Sequence, residues 1–336
     1  VIHNEWENQP NSVPAPSLPG RTKLLTVDGK KVAEVFSTNR VPVSADQQGP
    51  WIRKAVVAVE DARFYSHSGV DPIGTMRALV ATGGGDSVQG GSTITQQYAK
   101  NLRLTQAAIE AGGEATAETR DALTERSWKR KVAEAHLATV IEKSTSKEDI
   151  LTGYLNVGYF GSGAYGIQAA ARRYYSTDAT KLTLSQAATL AGVLQSPVSL
   201  DPRLNPERTL VRRAQVLNAM AAQGMVTAAE AAQAQAEPIT LALSLPEQGC
   251  QVAGRDWGMV CDGALRELKA ADWLGPEATN LLRAGGLTVQ LSVDPKTQKD
   301  VAAAAKDVIP ADNRVANAIT LVEPGTGYVK GMASNR

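Results

Sequence analysis

Apolar residues in this chain recur at helical spacing through its long middle and at strand spacing only near its two ends. Up to about Gly20 the sequence (NQPNSVPAPSLPG) has no period and is rich in Pro, Asn and Ser, so residues 1–22 are expected to form a flexible tether. From Lys23 to Phe36, alternation around Asp28-Gly29 predicts a β-hairpin with a tight turn, and 23–44 is expected to lead into the main body.

The pattern then turns helical. Pro50 stands at a first helical position, and Ile52, Val56 and Val59 fall on one stripe, which brings Glu60 to the end of a buried helix. Gly83 to Gly85 and Gly90-Gly91 bracket a loop. Thr93 and Gln96 form a capping box opening a helix with Ile94, Tyr98 and Leu102 on one side and Thr93, Gln96, Gln97 and Lys100 on the others. Leu104 to Glu125, Ala- and Glu-rich with Gly112-Gly113 in the middle, reads as a mobile flap. Between Ser127 and Lys143, Arg130, Glu134, Leu137 and Ile141 share a helix face, and Lys131 reaches Glu134 from three residues away. Further helices are expected over SKEDILTGYLNV, over IQAAARRYY, over LSQAATLAGVL behind a Thr183/Gln186 cap, and twice between Pro206 and Ala236 around Gly224. Near Pro238 short alternating segments take over, at 287–294 and 317–333. A hairpin with one helix buries little, so the chain is expected to stop partway into a domain.

The chain has 336 residues, enough for more than one core, since single cores rarely exceed about 250 residues. With 35 Lys+Arg against 34 Asp+Glu, there is no charge excess of the kind a general nucleic-acid binder carries. No stretch reaches the roughly 18 to 20 apolar residues of a membrane span, and no basic segment leads into an apolar one at Val1. The reading is therefore of a chain without anchor or signal. Cys250 and Cys261 are the only cysteines, in a Gly- and Asp-rich stretch. A disulfide closing a surface loop and two unrelated thiols are both open readings. The three histidines, His3, His67 and His136, lie too far along the sequence to complete a zinc site.

Four segments carry the chemistry, namely EDARFYSHSGVD (60–71), GGSTITQQYAKN (90–101), RKVAE (130–134) and KEDILTGYLNVGYFGSGAYG (147–166). Their order and wording resemble the motifs of the family 51 peptidoglycan glycosyltransferases, the N-terminal module of class A, bifunctional penicillin-binding proteins. The resemblance covers about residues 45–235. LTVQLSVDPKTQ and AITLVEPGTGYVKGMA resemble the linker and first transpeptidase strands of the same proteins. It implies a mainly α, lysozyme-like domain over 45–237 with a mobile, membrane-facing jaw, a small α/β linker over 238–286, and the start of a transpeptidase module over 287–336. The apolar jaw surface would draw on Ile73 to Ala81 and on the 102–128 flap with Trp128.

The resemblance further implies that Glu60 is the catalytic base and Glu134 the second acidic residue. The substrate would be lipid II, polymerised on a growing lipid-linked chain into β-1,4 strands with inversion at the anomeric carbon. The physical logic is compatible. A sugar hydroxyl is a poor nucleophile until a carboxylate accepts its proton, and a pyrophosphate leaving group calls for cations and hydrogen-bond donors. Lys100, Arg130 and Lys131 supply the cations; Ser92, Thr93, Gln96, Gln97 and Asn101 supply the donors. Asp61, Phe64, His67, Gly69, Tyr154 and Asn156 complete the candidate substrate-binding set. Glu134 would orient Arg130 and Lys131 or hold a divalent ion, Mg or Mn; no organic cofactor is expected. Partners would be the bacterial cytoplasmic membrane, at its outer face, and cell-wall assembly proteins.

Plainer readings stand beside these. Arg130 and Glu134 could be an intrahelical ion pair worth about 0.3–0.5 kcal/mol. His67 could simply shape its loop, Tyr154 could be core, and His136 is expected on the solvent side of its helix. Glycines 158, 161, 163 and 166 suit a tight turn and lack the Gly-Lys-Ser/Thr ending of a phosphate loop. Ser144 to Lys147 matches S-x-x-K, but no S-D-N or K-T-G triplet follows, and Ser146 is explained as a helix cap. Two other functions compete: a lysozyme-like hydrolase, whose leaving group would not need the cation cluster, and an inactive scaffold of a cell-wall complex.

Overall fold

The computed structural model describes residues 20–74, 91–111, 116–125, 127–271, 285–309 and 312–335, together with positions 6, 7, 9 and 18. Glycines 83–85 and 90, and most of the expected jaw stretch (75–81), lie outside the described residues. The chain divides into two compact units: one gathers Val1–Leu18, Asn39–Ala108 and Ala115–Leu245, the other Pro19–Thr38, Ile109–Glu114 and Pro246–Arg336.

The second unit opens with β1 (Thr22–Leu25) and β2 (Lys31–Val35), paired antiparallel. Gly29 takes φ +82° in the turn, and Lys30 N donates to Thr26 Oγ1 at 2.9 Å. This is the hairpin that the alternation predicts.

The first unit runs through β3 (Asn39–Arg40), α1 (Pro50–Glu60), α2 (Ile94–Glu110), α3 (Ala117–Thr124), α4 (Trp128–Ser144), α5 (Lys147–Val157), β4 (Ala164–Tyr165), α6 (Ile167–Tyr175), α7 (Leu184–Val193), α8 (Pro206–Ala222) and α9 (Ala228–Ala236). Among the described residues its only sheet is the two-residue parallel pairing of β3 with β4. Local sequence starts the helices. Pro50 and Pro206 stand in the first turns of α1 and α8, and Thr183 with Gln186 forms the reciprocal capping box of α7. α7 is buried on nearly every residue, and α1 and α8 pack against it. Its small side chains allow that approach: a Cβ on Gly192 would stand 2.8 Å from Arg212 Cγ. Ile52, Val56, Val59, Leu190, Leu217 and Met220 form part of one buried cluster. Each contributes on the order of 1.5–3 kcal/mol, and together they fix the end of α1.

Two local expectations change. The segment read as a flap from Leu104 begins as helix, because Gln106, Ala107 and Ala108 are good helix formers and α2 runs on to Glu110. His136 is buried rather than solvent-facing, its ring edge-on to Trp6 at 4.8 Å between centroids. α4 buries Ala133, His136 and Ala138 as well as the Glu134, Leu137 and Ile141 stripe, so it has no fully wet side at that level. In the turn after α5, Gly161, Gly163 and Gly166 all adopt positive φ.

The second unit continues with α10 (Arg255–Ala270), β5 (Thr288–Gln290), α11 (Pro295–Val308), β6 (Ala318–Val322) and β7 (Val329–Ser334). β5 pairs in parallel with β1, giving the order β2-β1-β5, a third strand that reading the hairpin locally cannot supply. The Cys250–Cys261 disulfide is formed and lies in the cluster of Leu24, Val32 and Ala33 with Trp257 and Leu265. The β6–β7 hairpin packs on α11. There the Gln298 side chain brackets Met332, its Nε2 donating to the Met332 carbonyl at 2.8 Å and its Oε1 accepting from the Met332 amide at 2.9 Å.

Candidate active site

Glu60 closes α1 where a carboxylate is least welcome: the partial negative end of a helix, inside an apolar core. Its side chain is 9% exposed. Oε2 accepts a hydrogen bond from Gln97 Nε2 at 2.8 Å. Oε1 is sealed from solvent with no hydrogen bond, and Arg212 Nη2 faces it at 3.7 Å. Burial raises the carboxyl's pKa above its ordinary value. The Gln97 amide and then the Arg212 charge pull it back, Asp61 adds to the rise, and Lys100 opposes it.

The neighbouring residues set this geometry. Asp61 holds the start of α2 by accepting from Ile94 N at 3.0 Å, and both its oxygens lie 3.0–3.1 Å from His67 Nε2. Thr93 Oγ1 donates to the Gly69 carbonyl at 2.6 Å, while the Thr93 amide donates to Gln96 Oε1 at 3.0 Å. Gly69 has φ +90°, and a Cβ there would meet the Ala138 backbone at 2.7 Å. α2 is thus anchored so that Gln97, in its first turn, meets Glu60.

One turn further along α2 stands the half-buried Lys100. Burial lowers its pKa; the charges of Glu134 and Glu60 raise it, and those of Lys131 and Arg130 lower it again, so this ammonium feels both carboxylates. On α4, Glu134 is 2% exposed. Its Oε1 is bonded by the Arg130 guanidinium, and its Oε2 by Lys131 Nζ at 2.8 Å. Lys131 also donates to Ser92 Oγ at 2.8 Å. Ser127 caps α4, accepting from Arg130 N at 3.2 Å, which places both cations in its first turn.

The geometry therefore forms two hydrogen-bonded groups, Glu60 with Gln97 and Glu134 with Arg130, Lys131 and Ser92, and the ammonium of Lys100 feels the carboxylates of both. Asp61, His67, Gly69, Thr93 and Gln96 are occupied in holding α2 and its approach loop. Asn101 follows Lys100 on α2, half-buried. Phe64 is a fully buried core side chain beneath Lys147 Nζ, 4.4 Å from its ring centroid. Asn156 spends both amide ends on Val43, Oδ1 accepting from its N at 3.1 Å and Nδ2 donating to its O at 2.8 Å. Tyr154 is core by burial but polar at its tip, the phenol donating to Gln97 Oε1 at 3.0 Å. Sequence reasoning missed Arg212. Its one local signal is a cation on the stripe Arg212, Val216, Met220 of α8, whose other members are buried.

Both Glu134 oxygens are taken by cations, and among the described residues no group of three His, Cys, Asp or Glu could hold a metal ion. The donor set does not fit a protein-bound Mg or Mn at Glu134; the arrangement is a carboxylate that gathers two cations. Ser146 caps α5, and Lys147 pairs with the largely buried Glu142 at 2.6 Å, which accounts for the S-x-x-K match.

A family model described as Transglycosylase matches residues 28–221. Penicillin-binding protein 1F of Bacillus subtilis is 36% identical over 282 residues, 83% of this chain and 35% of that protein. Penicillin-binding protein 2D of the same organism is 33% identical over 331 residues, 96% of this chain and 43% of that protein. The chain thus spans well under half the length of these relatives. A crystal structure of penicillin-binding protein 1A from Haemophilus influenzae aligns with 88% of this chain and 30% of its own, at 20% identity and a TM-score of 0.39.

Proposed function

Because the chain belongs to the transglycosylase family, we propose that it is a peptidoglycan glycosyltransferase that polymerises lipid II into β-1,4 glycan strands with Glu60 as base. The observation that carries the reading is Glu60 itself: a buried carboxylate, raised in pKa, in the field of Lys100, whose ammonium also feels Glu134 and the two cations Glu134 holds. The Glu60 carboxylate accepts the proton of the acceptor sugar's 4-hydroxyl as that oxygen bonds to the donor's anomeric carbon. The bond from that carbon to the pyrophosphate oxygen breaks, its electron pair leaving with the phosphate. Attack opposite the leaving group turns the α-linkage into a β-glycoside.

Lys100, Arg130 and Lys131 meet the charge that develops on the pyrophosphate. Glu134 fixes the last two in place before the substrate arrives, so little reorganisation is left for the reaction itself. Transglycosylases of this family depend in general on a divalent metal. Among the described residues Glu134 offers such an ion no seat, since both its oxygens are held by cations. The site is assigned to the outer face of the cytoplasmic membrane. Exposed Trp128 and Ile73 are its candidate lipid contacts, and among the described residues no helix is long and apolar enough to cross the membrane.

The test is polymerisation of labelled lipid II in detergent by the parent chain and by Glu60→Gln, read as glycan products on a gel. Strands from the parent and none from the variant are expected. Lipid II untouched by a well-folded parent points to a scaffold, and cleavage of preformed glycan to a hydrolase.

A further inference from the structure

Gln97 stands between two groups and cannot choose its own orientation. A primary amide has nearly the same shape either way round, so its partners decide which end faces which. Here Nε2 faces Glu60 Oε2 at 2.8 Å and Oε1 receives the Tyr154 phenol at 3.0 Å. In the reversed orientation the amide carbonyl would confront an ionised carboxylate, acceptor against acceptor. The phenol hydrogen would also lose its acceptor, in a place where the Tyr154 hydroxyl makes no other hydrogen bond among the described residues.

We propose that Tyr154 is a positioning residue: through Gln97 it keeps an N–H aimed at Glu60 Oε2 and so prepares that oxygen, rather than Oε1, to take the proton. The inference rests on the reading of Glu60 as the base. Three observations support it. Oε1 is sealed and faces only the Arg212 guanidinium, so Oε2 is the oxygen left to meet a substrate. Tyr154 cannot wander, since it rises from α5 among the fully buried Ile150, Leu151 and Leu155. α5 is held close to α2 at the next residue, where a Cβ on Gly153 would stand 2.4 Å from the hydroxyl of Tyr98, the neighbour of Gln97. Burial, with the Glu60 charge added, keeps the phenol protonated far into the alkaline range, so it remains a donor wherever Glu60 titrates.

The charged and titratable groups acting on Glu60 are Arg212 from α8, Lys100 from α2, Asp61 from its own segment and Tyr154 from α5. Only the last is connected to it through an amide. Tyr154→Phe leaves the ring in place but removes the hydrogen that holds Gln97. An N–H bond to a carboxylate favours the charged form, so losing its aim raises the Glu60 pKa by about one unit.

The experiment titrates the Glu60 carboxyl by NMR in carbon-13 glutamate-labelled chain, identified by its disappearance in Glu60→Gln, alongside the pH profile of lipid II polymerisation. In Tyr154→Phe the midpoint and the acid limb of kcat/KM should both move up by about one pH unit, with activity lost on the acid side and regained above the new limb. Gln97→Met should raise the midpoint by itself, and adding Tyr154→Phe to it should change nothing further. A rate loss in Tyr154→Phe with an unmoved midpoint overturns the proposal in favour of a packing role. A shift that persists in the Gln97→Met background overturns it in favour of a direct effect. Should Tyr154→Phe not fold, an unmoved midpoint in Gln97→Met overturns it equally. If the midpoints move as expected while Glu60→Gln still polymerises, the coupling stands and the assignment of the base fails.

Discussion

Replacing Arg212 by Met isolates the one cation that touches the proposed base without belonging to the pyrophosphate cluster. The two charged groups are 3.7 Å apart with side chains 5% and 9% exposed. At an effective dielectric of about 20 their attraction is about 4–5 kcal/mol, an upper bound on what this charge does for the ionised form of Glu60. The sign follows from the charge: a nearby cation favours ionised Glu60, and its removal raises a pKa already raised by burial. Protonation then spares the fold an unpaired buried charge, and Met fills much of the vacated volume. Single-turnover polymerisation of labelled lipid II from pH 5 to 10 should show the acid limb moved up, with most of the rate regained on the alkaline side. A loss of equal size at every pH, with the limb unmoved, would refute the reasoning and place Arg212 on the substrate.

Glu134→Gln leaves Arg130 and Lys131 without their shared anion, and half-exposed Lys131 is then free to turn to solvent. kcat/KM should fall by at least about tenfold, and an unchanged value would remove the clamp from the mechanism. Gly69→Ala combines left-handed strain with a contact to the α4 backbone at 2.7 Å that cannot yield. Urea unfolding should show a loss of about 2–4 kcal/mol, and a loss below about 1 would mean that the loop moves aside. Reducing Cys250–Cys261, which closes a loop of sequence separation 11, should cost the second unit about 2–3 kcal/mol, seen as a lower urea midpoint with reductant.

What the sequence disclosed were features within a few residues of one another. The Ile52, Val56, Val59 stripe, the Thr93/Gln96 box and the Arg130, Glu134, Leu137, Ile141 face all rest on i to i+3 or i+4 geometry, which any helix must obey, and each is found as spaced. What it concealed joins distant residues. Arg212 meets Glu60 across 152 positions, β5 pairs with β1 from far along the chain, and Asn156 clamps Val43 across 113. None of these leaves a local period. His136 fails for a related reason: its burial is imposed by Trp6, which no pattern on its own helix announces. The polar tip of Tyr154 lay between the two classes. Its burial could be anticipated from Ile150, Leu151 and Leu155, but its hydrogen bond to Gln97 belongs to another helix.

In the proposed reaction two buried carboxylates take different parts because their surroundings differ. Glu134 has a cation on each oxygen, so its charge is spent on holding Arg130 and Lys131, the cations proposed to meet the leaving pyrophosphate. Glu60 has one neutral amide and one guanidinium beyond hydrogen-bond range, which leaves it under-compensated and ready to gain a proton. Interchanging the environments would defeat both roles: two cations clamped on Glu60 would leave neither oxygen open to a hydroxyl, and a Glu60-like site at 134 would let the cations disperse. The helices enforce the division. α1 ends inside the apolar core and delivers its last residue with few donors nearby, whereas α4 begins at the site and presents two cations in its first turn, one helical turn before Glu134.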